Sequence, residues 1–313
     1  MTLACGVDVG GTKIAGAVVD LEGKILEEAR VESPAMDAEA IEQAIADLVA
    51  DLRSRHEVER VGIGAAGYVD AKRASVMFAP NLALRDVDLK SELEQRIGLP
   101  VVVENDANAA AWGEFAFGAG ADVDDLLMVT VGTGVGGGIV LDGRLYRGAF
   151  GPAAEIGHLR VVPEGHLCGC GQRGCLEQYA SGRALVREAK TAAAGGVDAA
   201  EPLLALAGGD AEAITGPLVT EAAQAGDPFS IELIASLARW LGGGIASLVA
   251  VLDPAAVVIG GGVSEAGDLL MLPLRSAFES QLSGRGHRPV AEIRLATLGN
   301  KAGVIGAADL ARH

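Results

Sequence analysis

A short apolar run, a glycine-threonine turn and a second apolar run occur twice in this chain, and that recurrence restricts the fold more than any other feature. The first copy is LACGVDV at 3–9, the turn Gly10-Gly11-Thr12 and KIAGAVVD at 13–20, followed by a third run at 24–31. The second is LLMVTV at 126–131, the turn GTGVGGG and IVL at 139–141. Runs of this length, rich in β-branched residues and bounded by glycine, read as strands. One recurrence at this scale predicts a duplicated βββαβα unit, because solenoid repeats are shorter. With 313 residues, 44 glycines and 50% hydrophobic residues, the composition is that of a globular α/β protein with ample core.

The remaining segments fit such a duplication. A helix is predicted from about Asp37 to Arg55, where Ile41, Ile45, Leu48 and Leu52 recur at helical spacing. A strand at 58–66 leads into Gly67, a helix near 88–97 precedes a strand at 100–104, and Asn105-Asp106 opens an Ala-rich helix to about Phe117. Gly118-Ala119-Gly120-Ala121 reads as a junction. Two domains are therefore expected, a smaller one of residues 1–118 with 299–313 and a larger one of 119–298. In the larger, helices are predicted near 179–191, 211–225 and 229–251. A strand at 255–259 runs into Gly260-Gly261-Gly262, another spans 291–297, and a helix closes the chain from about Ala302. The Gly-rich segment 194–209 reads as surface loop.

Net charge narrows the partners. At −17 the chain repels nucleic acid and anionic membrane surfaces. Asp8 interrupts the first apolar run before a signal peptide could form, and the longest membrane-like run, Ile245 to Ile259, is cut by Asp253-Pro254. A soluble, cytoplasmic protein is expected.

Metal-binding chemistry concentrates between Glu155 and Glu177. Cys168, Cys170 and Cys175 fall here with His158 and His166, in a polar loop punctuated by glycine. Three thiols and an imidazole suit tetrahedral Zn²⁺, with either His158 or His166 as fourth ligand. Cys5 lies alone in a strand, so no disulfide framework remains and a reducing compartment is implied.

The Gly-Thr turns suit an anion, since they expose backbone N–H groups with no side chain in the way. Asp8 beside the first turn can organise Mg²⁺ or its waters, and Lys13 adds a cation. Two G-x-G-x-x-G matches, Gly62/Gly64/Gly67 and Gly132/Gly134/Gly137, are followed by strand-and-turn sequence rather than a helix, so neither is a dinucleotide fingerprint. No Walker A pattern occurs.

Taken together, DVGGTK at 8–13, ENDANAAAWGE at 104–114, VGTGVGGGI at 131–139, EIGH at 155–158, CGCGQRGCLE at 168–177 and VVIGGGVS at 257–264 resemble, in order and over nearly the whole chain, the ROK family of sugar kinases. Within it, GHLCGCGQRGCLEQYASGR is most similar to the zinc-containing, ATP-dependent bacterial glucokinases. The resemblance implies an actin-like ATPase (ribonuclease H-like) fold of two α/β domains around a cleft, and phosphorylation of glucose by Mg·ATP. It assigns Asp8, Gly10, Gly11, Thr12, Lys13, Gly132, Thr133 and Gly134 to phosphates and Mg²⁺, and Gly261 and Gly262 to adenosine. Gly67, Asn105, Glu155, His158 and Glu177 would bind the sugar together with Asp106, which would also be the catalytic base. Zinc would be held by His158, Cys168, Cys170 and Cys175. A homo-oligomer, dimer or tetramer, is implied as well.

Physical chemistry supports these roles. Ionised carboxylates accept paired sugar hydroxyls, and a histidine bound to metal through one ring nitrogen presents the other as an N–H donor. The N-terminus of the helix beginning at Asp106 is expected to favour its ionised form. One departure is Ala154, where many relatives carry glycine. Another hexose or N-acetylhexosamine as substrate, or polyphosphate as donor, remains an alternative. The family's sugar-sensing repressors carry an N-terminal helix-turn-helix, for which a phosphate motif beginning at Asp8 leaves no room.

Overall fold

The computed structural model describes residues 3–313. Its first half opens with an antiparallel meander, β1 (Leu3–Val9), β2 (Lys13–Val19) and β3 (Ile25–Glu32). Helix α1 (Ala38–Arg53) follows, its first turn capped by the Asp37 side chain, which accepts from the Ala40 N–H. It returns the chain to β4 (Val58–Ala65), parallel to β1. Three short strands, β5 (Tyr68–Val69), β6 (Val76–Phe78) and β7 (Arg85–Val87), form a separate antiparallel sheet. Helix α2 (Leu89–Ile97) then leads to β8 (Val101–Asn105) and α3 (Asp106–Phe117).

The second half repeats the scheme with β9 (Leu126–Val131), β10 (Val135–Leu141) and β11 (Arg144–Leu145). After the cysteine loop come α4 (Glu177–Ala180), α5 (Gly182–Ala194), α6 (Glu201–Leu206), α7 (Gly216–Gln224) and α8 (Pro228–Leu252). The chain ends through β12 (Ala256–Gly260), α9 (Asp268–Gln281), β13 (Glu292–Leu295) and α10 (Ala302–Leu310). The two large sheets have the orders β3-β2-β1-β4-β8 and β11-β10-β9-β12-β13. These are the same order, so the duplication read from the two Gly-Thr turns holds at the level of topology.

Each sheet has its own core. Val7, Ile14, Ile63 and Val103 pack against Ile41, Ile45, Leu48 and Leu52 of α1, with Cys5 fully buried among them. Leu127, Val129, Val257 and Ile259 pack against Ile234, Leu237, Leu241 and Ile245 of α8. Helix α10 covers the other face of the first sheet at very short range. A Cβ on Gly6 or Gly62 would come within 1.8 Å of the α10 carbonyl oxygens of Val304 or Ala307. Only glycine allows the helix backbone to lie on the strands there, and this docks the end of the chain beside its beginning.

Several elements differ from the sequence reading. The turn GTGVGGG is mostly strand: β10 begins at Val135 and carries three glycines into the sheet, where Gly136 faces Thr130 and Gly138 faces Ala111 of α3. The expected helix 179–191 is two, α4 and α5, because Ser181 leaves helical geometry to cap α5 through the Ala184 N–H. Segment 194–209, read as loop for its glycines, contains α6, started by Glu201-Pro202. The β5–β7 sheet and α9 had no counterpart in the reading, since two- and three-residue strands carry no periodicity and Pro273 interrupts the α9 pattern. Helix α8, at 25 residues, is long and apolar enough to cross a membrane by length and composition. It packs instead against α9, α7 and α5, which explains apolar residues on more than one face.

Candidate active site

The C-terminal end of β8 and the start of α3 place Asn105 and Asp106 on the wall of a cavity of about 250 Å³, with Glu104 buried just before them. Asn105 caps α3, its Oδ1 accepting from the Asn108 N–H at 3.0 Å, while its Nδ2 donates to the Gly67 carbonyl at 3.0 Å and to Asp106 Oδ1 at 3.1 Å. Buried Glu104 accepts from the Asn105 N–H at 3.1 Å, from Asn108 Nδ2 at 3.0 Å and from Arg147 Nε at 2.7 Å. The backbone entering Asp106 is thereby held from both halves of the molecule.

Asp106 lies on the cavity wall with Glu155, His158 and Glu177. Burial, and then the nearby charge of Asp8, push its carboxyl up to about 6, against backbone N–H groups and the Asn105 amide, which favour the charged form. Desolvation thus outweighs the helix N-terminus in the direction of the shift, while a carboxyl at about 6 is still mostly ionised at neutral pH, as the sequence reading expected. Glu155 is pushed up further, to about 7, by burial and then by the charges of Asp106 and Glu177. Asp8 is raised by burial and lowered by Lys13. A group of acids this crowded is suited to accepting protons and hydroxyl hydrogen bonds.

On one side of this cavity lies the cysteine loop. The ligand atoms of His158, Cys168, Cys170 and Cys175 all fall within 4.8 Å of one another. Cys168 Sγ is 3.6 Å from His158 Nδ1, and Cys170 and Cys175 sulfurs are 3.6 Å apart. Zinc bonded to thiolates at about 2.3 Å holds sulfurs about 3.8 Å apart, so the four groups fit it. Burial raises the thiols of Cys168, to about 12, and of Cys175, a cost that a cation at their centre offsets. His158 turns Nδ1 to the sulfurs and leaves Nε2 3.8 Å from Glu155 Oε2, towards the cavity. His166, the other histidine considered, is elsewhere: its N–H donates to the Tyr179 hydroxyl and its ring lies 5.3 Å from that ring.

The Gly-Thr hairpins frame two larger cavities. One of about 830 Å³ is lined by Gly132, Thr133 and Gly262, and by α5 and α7 residues such as Val186, Thr220 and Gln224. Gly261 precedes it with φ +86, and a Cβ there would meet the Val131 carbonyl at 2.5 Å, so glycine is required. The other, about 960 Å³, is lined by Gly11, Thr12, Asn81, Thr133 and Arg183. Asp8, Gly10, Lys13 and Gly261 are not among the lining residues of these cavities. Sequence reasoning missed Tyr68, Phe78, Asn81 and Arg183 on the cavity walls. Tyr68, Phe78 and Asn81 come from the small sheet and its β6–β7 loop, which carry no motif, whereas Arg183 ends the cysteine motif 165–183, whose resemblance gave it no role.

A family model described as the ROK family matches residues 4–313. The chain belongs to the ROK family. It is 53% identical over 313 residues to a glucokinase of Streptomyces coelicolor, covering 100% of this chain and 98% of that one. It is 41% identical to a glucokinase of Halalkalibacterium halodurans, covering 98% and 94%. Among solved structures it resembles a ROK family glucokinase from Streptomyces griseus in complex with glucose and AMPPNP, at 55% identity, TM-score 0.91 and 99% coverage of both chains. The paired sheets are those of the actin-like ATPase fold that the ROK motifs implied.

Proposed function

We propose that this chain transfers the terminal phosphoryl group of ATP to the 6-hydroxyl of glucose. One observation carries the reading: Asp106, Glu155, His158 and Glu177 converge on a sugar-sized cavity that meets a larger, hairpin-framed cavity at Thr133. That arrangement stands in a chain 53% identical to a glucokinase.

In this reading Asn105, Glu155, Glu177 and the Nε2 of His158 hold the sugar's other hydroxyls, with Gly67 lining the site. Asp106 faces the hydroxyl that reacts. The bond from that oxygen to the γ-phosphorus forms as the bond to the bridging oxygen breaks, ADP leaves with the electron pair, and the proton passes to the Asp106 carboxylate. An aspartate is too weak a base to ionise an alcohol beforehand, but a loose transition state asks only for late proton acceptance and alignment. The Gly10 and Gly132 N–H groups close the two turns on the Lys13 and Gly134 carbonyls, which leaves the backbone of Gly11–Thr12 and Thr133–Gly134 to present N–H groups to the phosphates, with Lys13 nearby and Gly261 and Gly262 against the nucleoside. Bound Mg²⁺ would supply neutralisation of phosphate charge; Asp8, a carboxylate raised by burial with Lys13 as its opposing charge, fits that cation. Zinc, held by His158, Cys168, Cys170 and Cys175, would supply order to the loop and a fixed tautomer to His158, and no chemistry.

We infer also that residues 1–118 with 299–313 move as one body against 119–298, supported by the docking of α10 on β1, β4 and α3. A dimer or tetramer working in the reducing interior of the cell fits the free thiols and the open apolar side chains of Val251 and Leu272. The test of the function is a coupled assay over hexoses and aminosugars, each with ATP and with polyphosphate. Glucose with ATP should give the highest kcat/KM. A preference for an N-acetylhexosamine, or for polyphosphate, would overturn the assignment.

A further inference from the structure

Thr133 and Arg183 are the two residues that line all three cavities: the sugar-sized one, the larger nucleoside-side one and the one between the hairpins. Where a sugar and a nucleotide approach from opposite cavities, the transferred group passes through the point the cavities share. Arg183 occupies it by construction. It is the second residue of α5, and the first turn of that helix is sewn to the second hairpin, with Gly182 N–H donating to the Gly132 carbonyl at 2.8 Å and Arg183 N–H to the Thr133 carbonyl at 3.3 Å.

Charge points the same way. Asp106, Glu155 and Glu177 line the sugar-sized cavity, and Asp8 is close enough to raise Asp106, so a polyanionic nucleotide meets a negative field. The cationic side chains on the walls of the three cavities are Arg183 and Arg85. Arg85 is committed: its Nη1 donates to the Ala79 carbonyl at 2.7 Å, and its guanidinium lies 4.5 Å over the Phe78 ring. Arg183 is exposed, and its guanidinium has no hydrogen-bond or ion-pair partner among the described residues. A planar guanidinium can bridge two phosphate oxygens at once, which a lysine cannot.

We propose that Arg183 binds the terminal phosphates of the donor and stabilises the charge that develops on the phosphoryl group as it passes to the sugar. The inference rests on the kinase reading above and adds a residue to it. Because the Arg183 side chain is exposed and holds no partner among the described residues, and its backbone bond to Thr133 survives substitution, its removal should leave the fold intact.

The experiment compares wild type, Arg183→Ala and Arg183→Lys in steady-state kinetics with glucose and Mg·ATP, alongside calorimetry of glucose without nucleotide. We expect Arg183→Ala to lower kcat by about 10²–10³, the range for losing one preorganised donor to developing charge. Arg183→Lys should fall between, added guanidinium should restore part of the Ala variant's rate, and glucose affinity should stay within about twofold. A kcat within about threefold of wild type in Arg183→Ala, with or without a raised KM for ATP, would overturn the inference. So would an equal loss of glucose affinity, which would make the residue structural. Wild-type protein that does not phosphorylate hexoses with ATP would instead remove the functional reading, and this inference with it.

Discussion

At Ala154 an ordinary L-residue sits at φ +65, in the left-handed region, one position before Glu155. The methyl group there costs about 1–2 kcal/mol relative to a right-handed backbone, and glycine would relieve it at some cost in chain entropy. Ala154→Gly should therefore raise Tm by about 1–2 °C, measured by calorimetry on zinc-loaded protein. A lower Tm would mean that the methyl group's packing outweighs the strain. Asp106 makes a second prediction. With its carboxyl raised to about 6, turnover that needs the ionised form should fall as pH drops through that value. A pH–kcat profile flat between 5 and 8 would contradict it. The linked stability has the opposite sense. A carboxyl that binds its proton more tightly folded than unfolded contributes stability fully present below its ordinary pKa, near 4, and lost as pH rises through about 6. At this scale the sequence was legible where function requires a rare residue type in a fixed order. Asn105-Asp106 and the three cysteines stood out for that reason. The raised pKa of Asp106 did not, because it depends first on how deeply the folded chain buries the carboxyl and then on Asp8 coming near from β1.

Elements come next. The cysteine loop is one that a metal should hold. Cys170→Ser should lower zinc content and weaken glucose binding by disordering the loop that leads into Glu177, whereas His166→Ala should leave zinc in place, since His166 is packed on Tyr179 outside the cluster. Elemental analysis and calorimetry check both, and zinc lost with His166→Ala but kept with His158→Ala would reverse the ligand assignment. The two crossings between the sheets share another element, the end of α3. Fully buried Glu114 accepts from Ala119 N–H at 2.8 Å on the way out, and on the way back from Leu298 N–H at 2.7 Å and Thr297 N–H at 3.1 Å. Glu114→Gln turns one acceptor oxygen into a donor facing donors, so we expect destabilisation by about 2–4 kcal/mol in denaturant unfolding. A change below about 1 kcal/mol would show that the crossings do not depend on this clasp. Regular strands and long amphipathic helices were legible because their periodicity is written locally. The break at Ser181 was not, since a serine can cap a helix or sit within one, nor were the β5–β7 sheet and α9, since very short pairing and a helix containing proline are decided by tertiary neighbours.

Across the whole molecule, the duplication brings two Gly-Thr hairpins to face one another, and the chemistry lies where they meet. The ROK motifs declared both hairpins and the acids in sequence. Arg183 ends the cysteine motif with no role attached and Asn81 lies outside every motif, and their places on the walls follow only from how α5 and the small sheet close on the cavities. The proposed mechanism stands most on Asp106, the acid assigned there to take the sugar's proton as the phosphoryl group leaves ATP. Asp106→Asn keeps size and the Asn105 contact while removing the acceptor, and the decisive measurement is its kcat with saturating glucose and Mg·ATP, beside glucose affinity by calorimetry without turnover. The account predicts a kcat lower by about 10²–10⁴ with glucose affinity kept within about tenfold, in protein still folded and zinc-loaded. Turnover near that of wild type would contradict it and move the base to another carboxylate, with Glu155 the next to test.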